Sequence, residues 1–277
     1  MRIQSSADEP VSAGSSLPRL QLVELEDLPW FPRLFRDLAT DYLEFVGTRI
    51  AMDREIAPIL REALERAGAT RVVDLCSGGG GPVRALRRRL AEEGLAIEVM
   101  LTDRFPNLAA FRRLALAEPG LVAVEEAVDA RSVPPSLTGF RTLFNAFHHF
   151  GPADARGILR DAVRAGEGIA VFELSERSLR MLIPVLLTPV LVWGATPWIR
   201  PFRWRRLLWT YPIPVVPLLC LWDGVVSQFR SYRPAELREL SAGLDDGGYR
   251  WQVGTVPVVG APARITFLTG VPERRTG

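Results

Sequence analysis

A glycine-rich turn carries the residue types in this sequence that point most directly to ligand binding. Residues 71–75 read RVVDL, a short β-branched run that predicts a buried strand ending near Asp74, and residues 77–81 read SGGGG. Glycine permits positive φ and a close approach of the backbone, and the helix that follows offers unpaired N–H groups. The turn therefore favours a nucleotide-like ligand, although a tight loop alone would also need glycine.

Acidic and polar residues close the strands that are predicted after this turn. Asp103 ends the second strand, where a carboxylate can accept both ribose hydroxyls of an adenosine ligand. Asp129, beside Ala130, ends the third strand and could accept the adenine amino group, and Asn145 ends the fourth. Because the carboxyl ends of the strands border the ligand crevice of an open α/β sheet, we expect these side chains to meet. Taken singly, each acid could equally belong to a strand-end turn or cap a helix without contacting a ligand.

Two histidines, His148 and His149, follow the fourth predicted strand, and the chain contains no others. An imidazole titrates near neutral pH and can act as a general base, so either histidine is a candidate catalytic residue. Glu173, at the end of the fifth strand, is a further candidate. A histidine bonded within its own loop, or a cap or an ion pair between Glu173 and Arg177, accounts for the same residues without catalysis.

Such strand-end residues need a sheet that brings the strand ends to one edge. Helical periodicity extends from Asp27 to Ala67, and Gly68 suits the helix end because glycine accepts the left-handed conformation. Further strands are predicted at 97–102, 121–128, 142–146, 168–173, 249–256 and 264–269, and helices at 83–93, 108–117, 153–165 and 234–242. The alternation predicts an α/β fold with a doubly wound, mostly parallel seven-stranded sheet and a closing antiparallel hairpin.

The composition divides the chain into four parts. Residues 1–20 are polar and rich in Ser, Ala and Pro, which predicts a mobile tail, and residues 21–68 are expected to form an N-terminal helical lid. Residues 69–173 and 231–277 form the predicted α/β core. Residues 174–230 form a large apolar helical insertion after the fifth strand.

Charge and cysteine content argue against several classes of protein. The formal net charge is +2, and every one of the 34 residues counted as Lys or Arg is arginine, a bias that weakens arginine clusters as indicators of function. No case for nucleic acid binding follows. Cys76 and Cys220 lie far apart and no metal-ligand spacing is present, so neither a disulfide framework nor a metal is expected. The polar N-terminus lacks an apolar signal region, which predicts a cytoplasmic location.

In order along the chain, the motifs VVDLCSGGGG, LTD, VDA, LFNAFHHF and IAVFEL, with the final hairpin, resemble the Rossmann-like class I S-adenosylmethionine-dependent methyltransferases. The resemblance covers residues 71–173 and 251–270 and implies S-adenosylmethionine as the cofactor. The expected cofactor contacts are Asp74, Cys76, Ser77, Gly78 and Gly80 in the methionine-side loop, Asp103 and Arg104 at the ribose, Asp129 and Ala130 at the adenine end, and Asn145.

The resemblance also raises three points about individual residues. The family usually has glycine where this chain has Cys76, and a cysteine is tolerated there if its φ is negative. Helices before the core often cover the cofactor in this family, so Tyr42 and Arg36 are expected to reach it, unless they belong to a core face with solvated charges. Many methyl transfers need only in-line positioning of the reacting atoms, so a general base is not obligatory.

Two apolar runs, residues 181–198 and 207–222, flank an arginine-rich segment. Each approaches the roughly 17–25 residues of a membrane span, yet prolines interrupt both, and a hairpin would place the arginines outside, against the positive-inside tendency. We favour a cap over an apolar substrate pocket that also touches the membrane interface, with extra core as the alternative. Asp223 and Ser227 are then acceptor-side polar groups, or simply a turn and a helix cap.

Together these features predict methyl transfer from S-adenosylmethionine to an oxygen, nitrogen or carbon atom of an apolar small molecule or lipid. The reaction is expected in the cytoplasm or at the inner face of the membrane. A membrane-peripheral protein that binds S-adenosylmethionine without turnover is one alternative. A nicotinamide-dependent oxidoreductase is another, although the turn departs from the G-x-G-x-x-G spacing of such enzymes.

Overall fold

A seven-stranded sheet forms the centre of the fold in the computed structural model, which describes residues 17–50, 52–174, 176–244, 248–261 and 263–273. The strands are β1 (Arg71–Asp74), β2 (Glu98–Asp103), β3 (Leu121–Ala127), β4 (Phe140–Phe144), β5 (Ile169–Glu173), β6 (Tyr249–Pro257) and β7 (Arg264–Pro272). Their spatial order is β3-β2-β1-β4-β5-β7-β6. Strand β7 is antiparallel to β5 and β6, and the other pairs are parallel, which confirms the predicted sheet and its closing hairpin.

Helices with apolar faces cover both sides of this sheet. They are α1 (Arg33–Ile50), α2 (Asp53–Ala67), α3 (Gly81–Glu92), α4 (Leu108–Ala117), α5 (Pro152–Ala165), α6 (Leu179–Leu186), α7 (Thr188–Ala195), α8 (Trp204–Thr210), α9 (Val215–Arg230) and α10 (Pro234–Ser241). On one side, α2, α3 and α4 bury Leu60, Leu86 and Phe111 in a shared core. On the other, α5 and α10 bury Ile158 and Leu237. The strands therefore lie between two apolar layers, which suits their β-branched runs.

The fourth strand begins two residues earlier than the sequence predicts and also ends earlier. Phe140 pairs with Val72 of β1 in parallel register, so the ladder extends back to that residue. Asn145 consequently follows the strand and has a φ of +50°. Both histidines lie in a 3₁₀ turn, Phe147–His149, just beyond the sheet.

The region before α1 is less helical than its periodicity predicts. Residues 25–27 form a single 3₁₀ turn, and Pro29 and Pro32 precede α1. Proline lacks a backbone N–H and restricts the residue before it, so a regular helix does not start until Arg33. Gly68, by contrast, ends α2 with a φ of +63°, as the sequence predicts.

The two N-terminal helices have different surroundings. Helix α2 packs against α3 and the sheet and belongs to the core, whereas α1 contacts α3 and α9. Residues 1–16 of the predicted tail lie outside the described residues. Residues 17–20, which the sequence assigns to that tail, are joined to α9, where the N–H of Leu20 donates to the carbonyl of Phe229 (3.0 Å).

Helices α6–α9 form the insertion, in agreement with the apolar helical pattern. Helix α9 is the inner helix, since it packs against α1, α6, α7 and α8 and buries Val216 and Cys220 beside Leu38 of α1. Among the described residues, no single helix is long and apolar enough to cross a membrane. Two consecutive helix pairs reach that length and composition together, with bends of 43° and 72° between their members.

Gly80 is the turn position that least tolerates a side chain. Its φ is +82°, and a Cβ there would lie 2.3 Å from Cδ1 of Leu114. We expect Gly80→Ala to lower the free energy of unfolding by about 2 kcal/mol or more, because left-handed strain adds to overlap with a buried side chain. Urea denaturation measures the change.

The matched control for this substitution is Gly157→Ala in α5, where nothing lies within 4 Å of the added methyl group. It should be neutral or should stabilise the protein by up to about 1 kcal/mol, because alanine is the better helix former. Equal effects of the two substitutions would contradict the steric constraint at Gly80.

Candidate functional site

Hydrogen bonds hold the glycine turn against the end of β2. The backbone N–H of Gly78 donates to Oδ2 of Asp103 (2.9 Å), and the N–H of Ser77 donates to the carbonyl of Thr102 (2.9 Å). Gly78 and Gly80 have φ values of +54° and +82°, which glycine adopts without penalty. The turn and the predicted ribose acid, 25 residues apart in sequence, are therefore neighbours at the carboxyl edge of the sheet.

Cys76 adopts a backbone conformation that its residue type does not favour. Tolerance of cysteine at this position was expected on condition of a negative φ, and the observed φ is +60°. That expectation is wrong, and the left-handed conformation costs an L-residue on the order of 1 kcal/mol. The side chain packs against the core beneath the sheet, and burial raises the pKa of the thiol well above its usual value. Cys76 is therefore a neutral packing residue in this turn.

Asp74 is buried at the end of β1. Its Oδ1 accepts a hydrogen bond from the hydroxyl of Thr142 (2.8 Å), and its backbone carbonyl accepts bonds from the hydroxyls of Ser77 and Thr102. Burial raises the pKa of Asp74 to about 7. A cation placed nearby would favour the ionised carboxylate, so this acid suits a positively charged ligand.

Asp103 ends β2 with both carboxylate oxygens oriented by backbone amides. Oδ2 accepts from Gly78, and Oδ1 accepts from the N–H of Phe105 (2.8 Å). Each oxygen retains a further lone pair, so the carboxylate can still accept hydroxyl groups of a ligand. Arg104 is exposed, with its guanidinium 5.7 Å from the centre of the Phe105 ring.

Helix α1 lies over the glycine turn. A Cβ on Gly79 would lie 3.1 Å from Cγ2 of Thr40 and 3.2 Å from Oε2 of Glu44. Arg36 of the same helix lies over the ring of Phe105, 4.8 Å from its centre. The helix therefore faces both the turn and the loop after β2, and Thr40 and Glu44, which the sequence did not single out, are its nearest side chains to the glycines.

Asp129 follows β3 and lies near the end of β2. The N–H of Val128 donates to the carbonyl of Asp103 (2.9 Å), which fixes this neighbourhood. The carboxylate of Asp129 accepts hydrogen bonds from Arg131, with NH2 2.6 Å from Oδ2, and this bond lowers the pKa of Asp129. Ala130 is buried. An adenine amino group would therefore share the carboxylate with Arg131.

Two residues expected at the cofactor have other contacts. The ring of Tyr42 is buried against the insertion in a cluster with Val216 and Cys220, and burial raises the pKa of its hydroxyl to about 12. Oδ1 of Asn145 accepts the N–H of Leu174 (2.7 Å), which ties β4 to the end of β5. The structure thus assigns both side chains packing or positioning contacts rather than contacts with the turn.

The predicted catalytic residues meet in a buried cluster. Nδ1 of His148 lies 2.6 Å from Oε2 of Glu173, whose Oε1 accepts the N–H of Phe147 (2.6 Å). Nδ1 of His149 lies 2.8 Å from Oδ1 of Asp27. The two imidazole rings stack with their centres 4.4 Å apart. The structure therefore brings His148, His149 and Glu173 together, a meeting that the sequence did not predict, and their catalytic roles stay a prediction.

Charged residues from two distant segments complete this cluster. Arg230, the last residue of α9, donates to the backbone carbonyls of His148 and His149 and to Oδ2 of Asp27 (2.6 Å). Its NH1 also lies 3.4 Å from Oε1 of Glu24. The sequence did not identify these partners. The one sequence feature that could have indicated Glu24 and Asp27 is the acidic run ELED at residues 24–27, which by composition alone resembles a solvated surface segment.

Asp223 and Ser227 have local structural roles. The carboxylate of Asp223 accepts the backbone N–H groups of Leu25 (2.7 Å) and Glu26 (3.3 Å), and the hydroxyl of Ser227 donates to the carbonyl of Asp223. Both residues lie inside α9, so the turn and helix cap that the sequence allowed as one interpretation are wrong, and a position beside the acceptor stays a prediction. Asp223 fixes the acidic 3₁₀ turn to α9.

Acidic groups outnumber cations in this cluster. Glu24, Glu26, Asp27, Glu173 and Asp223 face Arg230 and the two histidines. Burial would lower the pKa of His149, but the charge of Glu24, the hydrogen bond to Asp27 and the nearby Glu26 outweigh it and raise the pKa to about 10. His149 is therefore an imidazolium at neutral pH, so it has no free ring nitrogen to accept a proton there.

Glu173 is the partner that orients His148. Burial would raise the pKa of Glu173, but the charge and hydrogen bond of His148 and the N–H of Phe147 outweigh burial and lower it. Arg177, the alternative partner weighed for Glu173, pairs with Glu236 instead. The other ring nitrogen of this buried histidine, Nε2, lies 3.7 Å from Oε1 of Glu24, so both nitrogens face carboxylates.

A group with metal-ligand geometry lies within the same cluster. Glu24, His148 and His149 each offer one ligand atom, and these atoms lie within 4.8 Å of one another. The sequence shows no metal-ligand spacing because Glu24 and the histidines come from distant segments. Arg230 pairs with Glu24, and His149 bonds Asp27, so a metal ion would have to displace both interactions. The geometry favours a proton-holding cluster over a metal centre.

No protein-family model matches the chain, and no curated protein matches its sequence. A solved structure does match: human N-acetylserotonin methyltransferase in complex with S-adenosylmethionine superposes with a TM-score of 0.53 at 13% identity. The match covers 86% of this chain and 56% of that one. The chain therefore spans little more than half the length of that methyltransferase.

Two further methyltransferases match over similar lengths. The S-adenosylmethionine-dependent methyltransferase SibL gives a TM-score of 0.48 at 17% identity, covering 90% of this chain and 61% of its own. The O-methyltransferase NcsB1 was solved with S-adenosylmethionine and 2-hydroxy-5-methyl naphthoic acid. It gives a TM-score of 0.43 at 17% identity, and the match covers 83% of this chain and 61% of NcsB1. At these identities, likeness concerns the fold alone, and the assignment of the fold rests on the human enzyme.

The protonated state of His149 makes a prediction about stability. A group whose pKa is raised from 6.5 to about 10 stabilises the folded state fully below pH 6.5 and loses that contribution as the pH rises through 10. We expect His149→Gln to destabilise the protein by about 2–4 kcal/mol at pH 6.5 and by much less near pH 10. Urea denaturation across this range measures the difference.

Arg164→Gln is the control, because Arg164 is an exposed cation at the end of α5. Its effect should be small and the same at every pH. A His149→Gln difference that stays constant between pH 6.5 and 10 would rule out the assigned protonation.

Proposed function

We propose methyl transfer from S-adenosylmethionine as the function of this chain, whose fold is that of the class I S-adenosylmethionine-dependent methyltransferases. The observation that carries the proposal is the hydrogen bond from the Gly78 N–H to Asp103, which joins the glycine turn to the acid expected at the ribose. The proposed acceptor is an oxygen, nitrogen or carbon atom of an apolar small molecule or lipid.

The residues around the turn fit this cofactor. Gly78 and Gly79 have no side chains between the turn and Thr40 and Glu44 of α1, and Asp103 offers its carboxylate to ribose hydroxyls. Burial raises the pKa of both Asp74 and Glu44, so each would ionise more readily beside a cationic ligand. When bound, the cofactor supplies an electrophilic methyl group on a sulfonium sulfur.

His148 is the proposed base for acceptors that must lose a proton. Its Nδ1 is bonded to Glu173, so Nε2 receives the proton, and the carboxylate stabilises the imidazolium that results. The neighbouring His149, already protonated, holds a fixed charge instead. Acceptors that need no deprotonation require only in-line positioning, and for them the histidine pair contributes electrostatics alone.

The insertion supports an apolar acceptor. Helix α9 contacts the 3₁₀ turn that carries the histidines, so it borders the proposed reaction site. Residues 215–222 of this helix read VVPLLCLW and contain no charged side chain. Val216, Leu219 and Cys220 of this run pack against α1, so the support for an apolar acceptor is the apolar composition of the insertion, since an apolar molecule gains from burial there and a polar one loses hydration.

Two other functions predict different binding and labelling results. A non-catalytic protein would bind S-adenosylhomocysteine and label no product. A nicotinamide-dependent oxidoreductase would bind NAD or NADP, and the nucleotide would compete with S-adenosylhomocysteine for the site. Against the second, the G-x-G-x-x-G pattern that starts at Gly78 would need glycine at position 83, where the chain has Val83.

We expect Asp103→Asn to weaken S-adenosylhomocysteine binding about tenfold or more, because it removes the charge that strengthens the ribose hydrogen bonds. Isothermal titration calorimetry measures the affinity. Glu92→Gln, which removes an exposed carboxylate at the end of α3, is the matched control and should bind like the unmodified protein. Absence of binding by the unmodified protein, or equal binding by Asp103→Asn, would sink the proposed cofactor site.

We expect His148→Gln to lower the rate of methyl transfer about 10²- to 10⁴-fold while leaving S-adenosylhomocysteine affinity nearly unchanged, since it removes the base and not the cofactor site. Glu173→Gln should lower the rate less and shift its pH profile. Radiolabelled methyl donor incubated with a native lipid extract measures transfer. An unchanged rate in His148→Gln would assign His148 to structure rather than to proton transfer.

A further inference from the structure

The outer layer of the insertion exposes much of the apolar surface of this protein. Among the described residues, twenty-four large apolar side chains are exposed, and fifteen of them lie between Leu179 and Trp222. Two of the fifteen, Leu218 and Trp222, belong to α9, and we call the thirteen that precede this helix the apolar plate. Its most exposed members include Trp198, at 69% exposure, and Val190, at 67%.

Helix α7 shows that the plate is more than scattered surface residues. Its sequence is TPVLVWGA, without a charged residue, so it has no polar face. Val192 is buried toward α9, while Val190, Leu191 and Trp193 are each more than half exposed. A helix that is apolar all round belongs in a protein core or in an apolar solvent.

The size of the plate points to a binding surface. Large side chains that are half exposed contribute tens of Å² each, so thirteen of them expose on the order of 1,000 Å², above the few hundred Å² typical of the largest patch on a soluble monomer. Helix α9 already covers the inner side of α6–α8, and the described residues offer nothing to cover the outer side.

The charges on the plate have one sign. No Asp or Glu occurs between Glu176 and Asp223. Arg180, Arg200 and Arg205 are exposed there, and no described carboxylate forms an ion pair with them. A partner that contacts this surface must therefore be apolar in its interior and negative at its rim.

Tryptophan and arginine alternate along the loop into α8. Trp198, Arg200, Phe202, Trp204 and Arg205 follow one another, and all five are exposed. Tryptophan prefers the headgroup level of a bilayer, where its ring is amphipathic, and arginine binds phosphate from there. The segment has the composition of a helix layer that lies in a membrane interface.

We propose that the apolar plate docks into the interface of an anionic lipid bilayer, with α6–α8 lying along the membrane surface. The bends of 43° and 72° keep each helix pair from forming a straight span, which suits insertion into one leaflet. Docking places α9 and the histidine cluster on the protein side of that layer. The proposal rests on the exposed surface and its charges and is independent of methyl transfer.

A second copy of the chain fits this surface less well. Two-fold association would bring the plate against itself, and the same unpaired arginines would then approach one another. Like charges placed together at an interface oppose association. Anionic phospholipids offer the opposite charge to each of them, at about the depth where Trp198 and Trp204 would lie.

Vesicle flotation of the full chain tests the proposal. The protein should float with vesicles of phosphatidylcholine mixed with phosphatidylglycerol, float poorly with phosphatidylcholine alone, and be released by alkaline carbonate. Its tryptophan fluorescence should be quenched by brominated lipid in the mixed vesicles. Failure to float with mixed vesicles overturns the proposal. So does resistance to carbonate, since that indicates a spanning arrangement.

Paired variants assign the binding to the plate. Trp198→Asp with Trp204→Asp should weaken vesicle binding more than tenfold, because charge replaces buried apolar area. The control adds the same two charges at exposed apolar positions elsewhere, Leu116→Asp with Val259→Asp, and should bind nearly as the unmodified protein. Equal losses in both pairs would contradict docking through the plate.

A second pair tests the contribution of charge. Arg200→Gln with Arg205→Gln should weaken binding to mixed vesicles about tenfold, and more at low salt. Arg164→Gln with Arg250→Gln, exposed arginines outside the insertion, is the control and should bind as the unmodified protein. A loss of binding as large in this control as in the Arg200 and Arg205 pair would overturn the proposal.

Two measurements on the same variants keep the outcomes separate. S-adenosylhomocysteine titration shows whether each variant retains its fold and its cofactor site, so cofactor binding without flotation overturns docking alone. Sedimentation velocity without lipid reports association. A stable dimer that Trp198→Asp with Trp204→Asp dissociates would assign the plate to a second copy and would contradict the membrane proposal.

Discussion

The guanidinium of Arg230 holds together three segments that are distant in sequence. It binds Asp27 in the acidic 3₁₀ turn, the backbone carbonyls of both histidines, and lies beside Glu24, while its own backbone ends α9. A buried cation is stable only when its donors are matched, so these contacts fix the insertion to the core. The nearby carboxyl groups of Glu24, Asp27 and Glu26 outweigh burial and keep His149 protonated.

The parallel sheet sets where the other half of the site can form. Residues at the carboxyl ends of β1, β2 and β3 meet because neighbouring parallel strands end at the same edge. The links from Gly78 and from Val128 to Asp103 are direct consequences of that arrangement. This arrangement strains the backbone at Cys76, because the turn requires a positive φ there although the residue is not glycine.

The two faces of the insertion meet different surroundings. Its inner helix α9 packs against α1 and supplies both an apolar wall and the Arg230 anchor, so it is continuous with the core. Its outer helices α6–α8 bury few residues, Met181, Val192, Arg206 and Thr210, and leave the others half-buried or exposed. A fold stabilised by burial retains such a layer at little cost when another apolar phase covers it, and the proposed bilayer is that phase.

Local pattern predicts the sheet, its order of acids and the apolar insertion, because β-branched runs, glycine turns and helical periodicity act over a few residues. The pairing of His148 with Glu173 was not predicted, because the sequence offered Arg177 as a nearer partner for that acid. The contacts with Glu24, Asp27 and Arg230 could not be predicted, since acids at 24–27 look solvated until α9 covers them. Nor could the burial of Tyr42 or the amide contact of Asn145. Sequence determines which elements form, and packing between distant segments decides which charges lose water and must find one another.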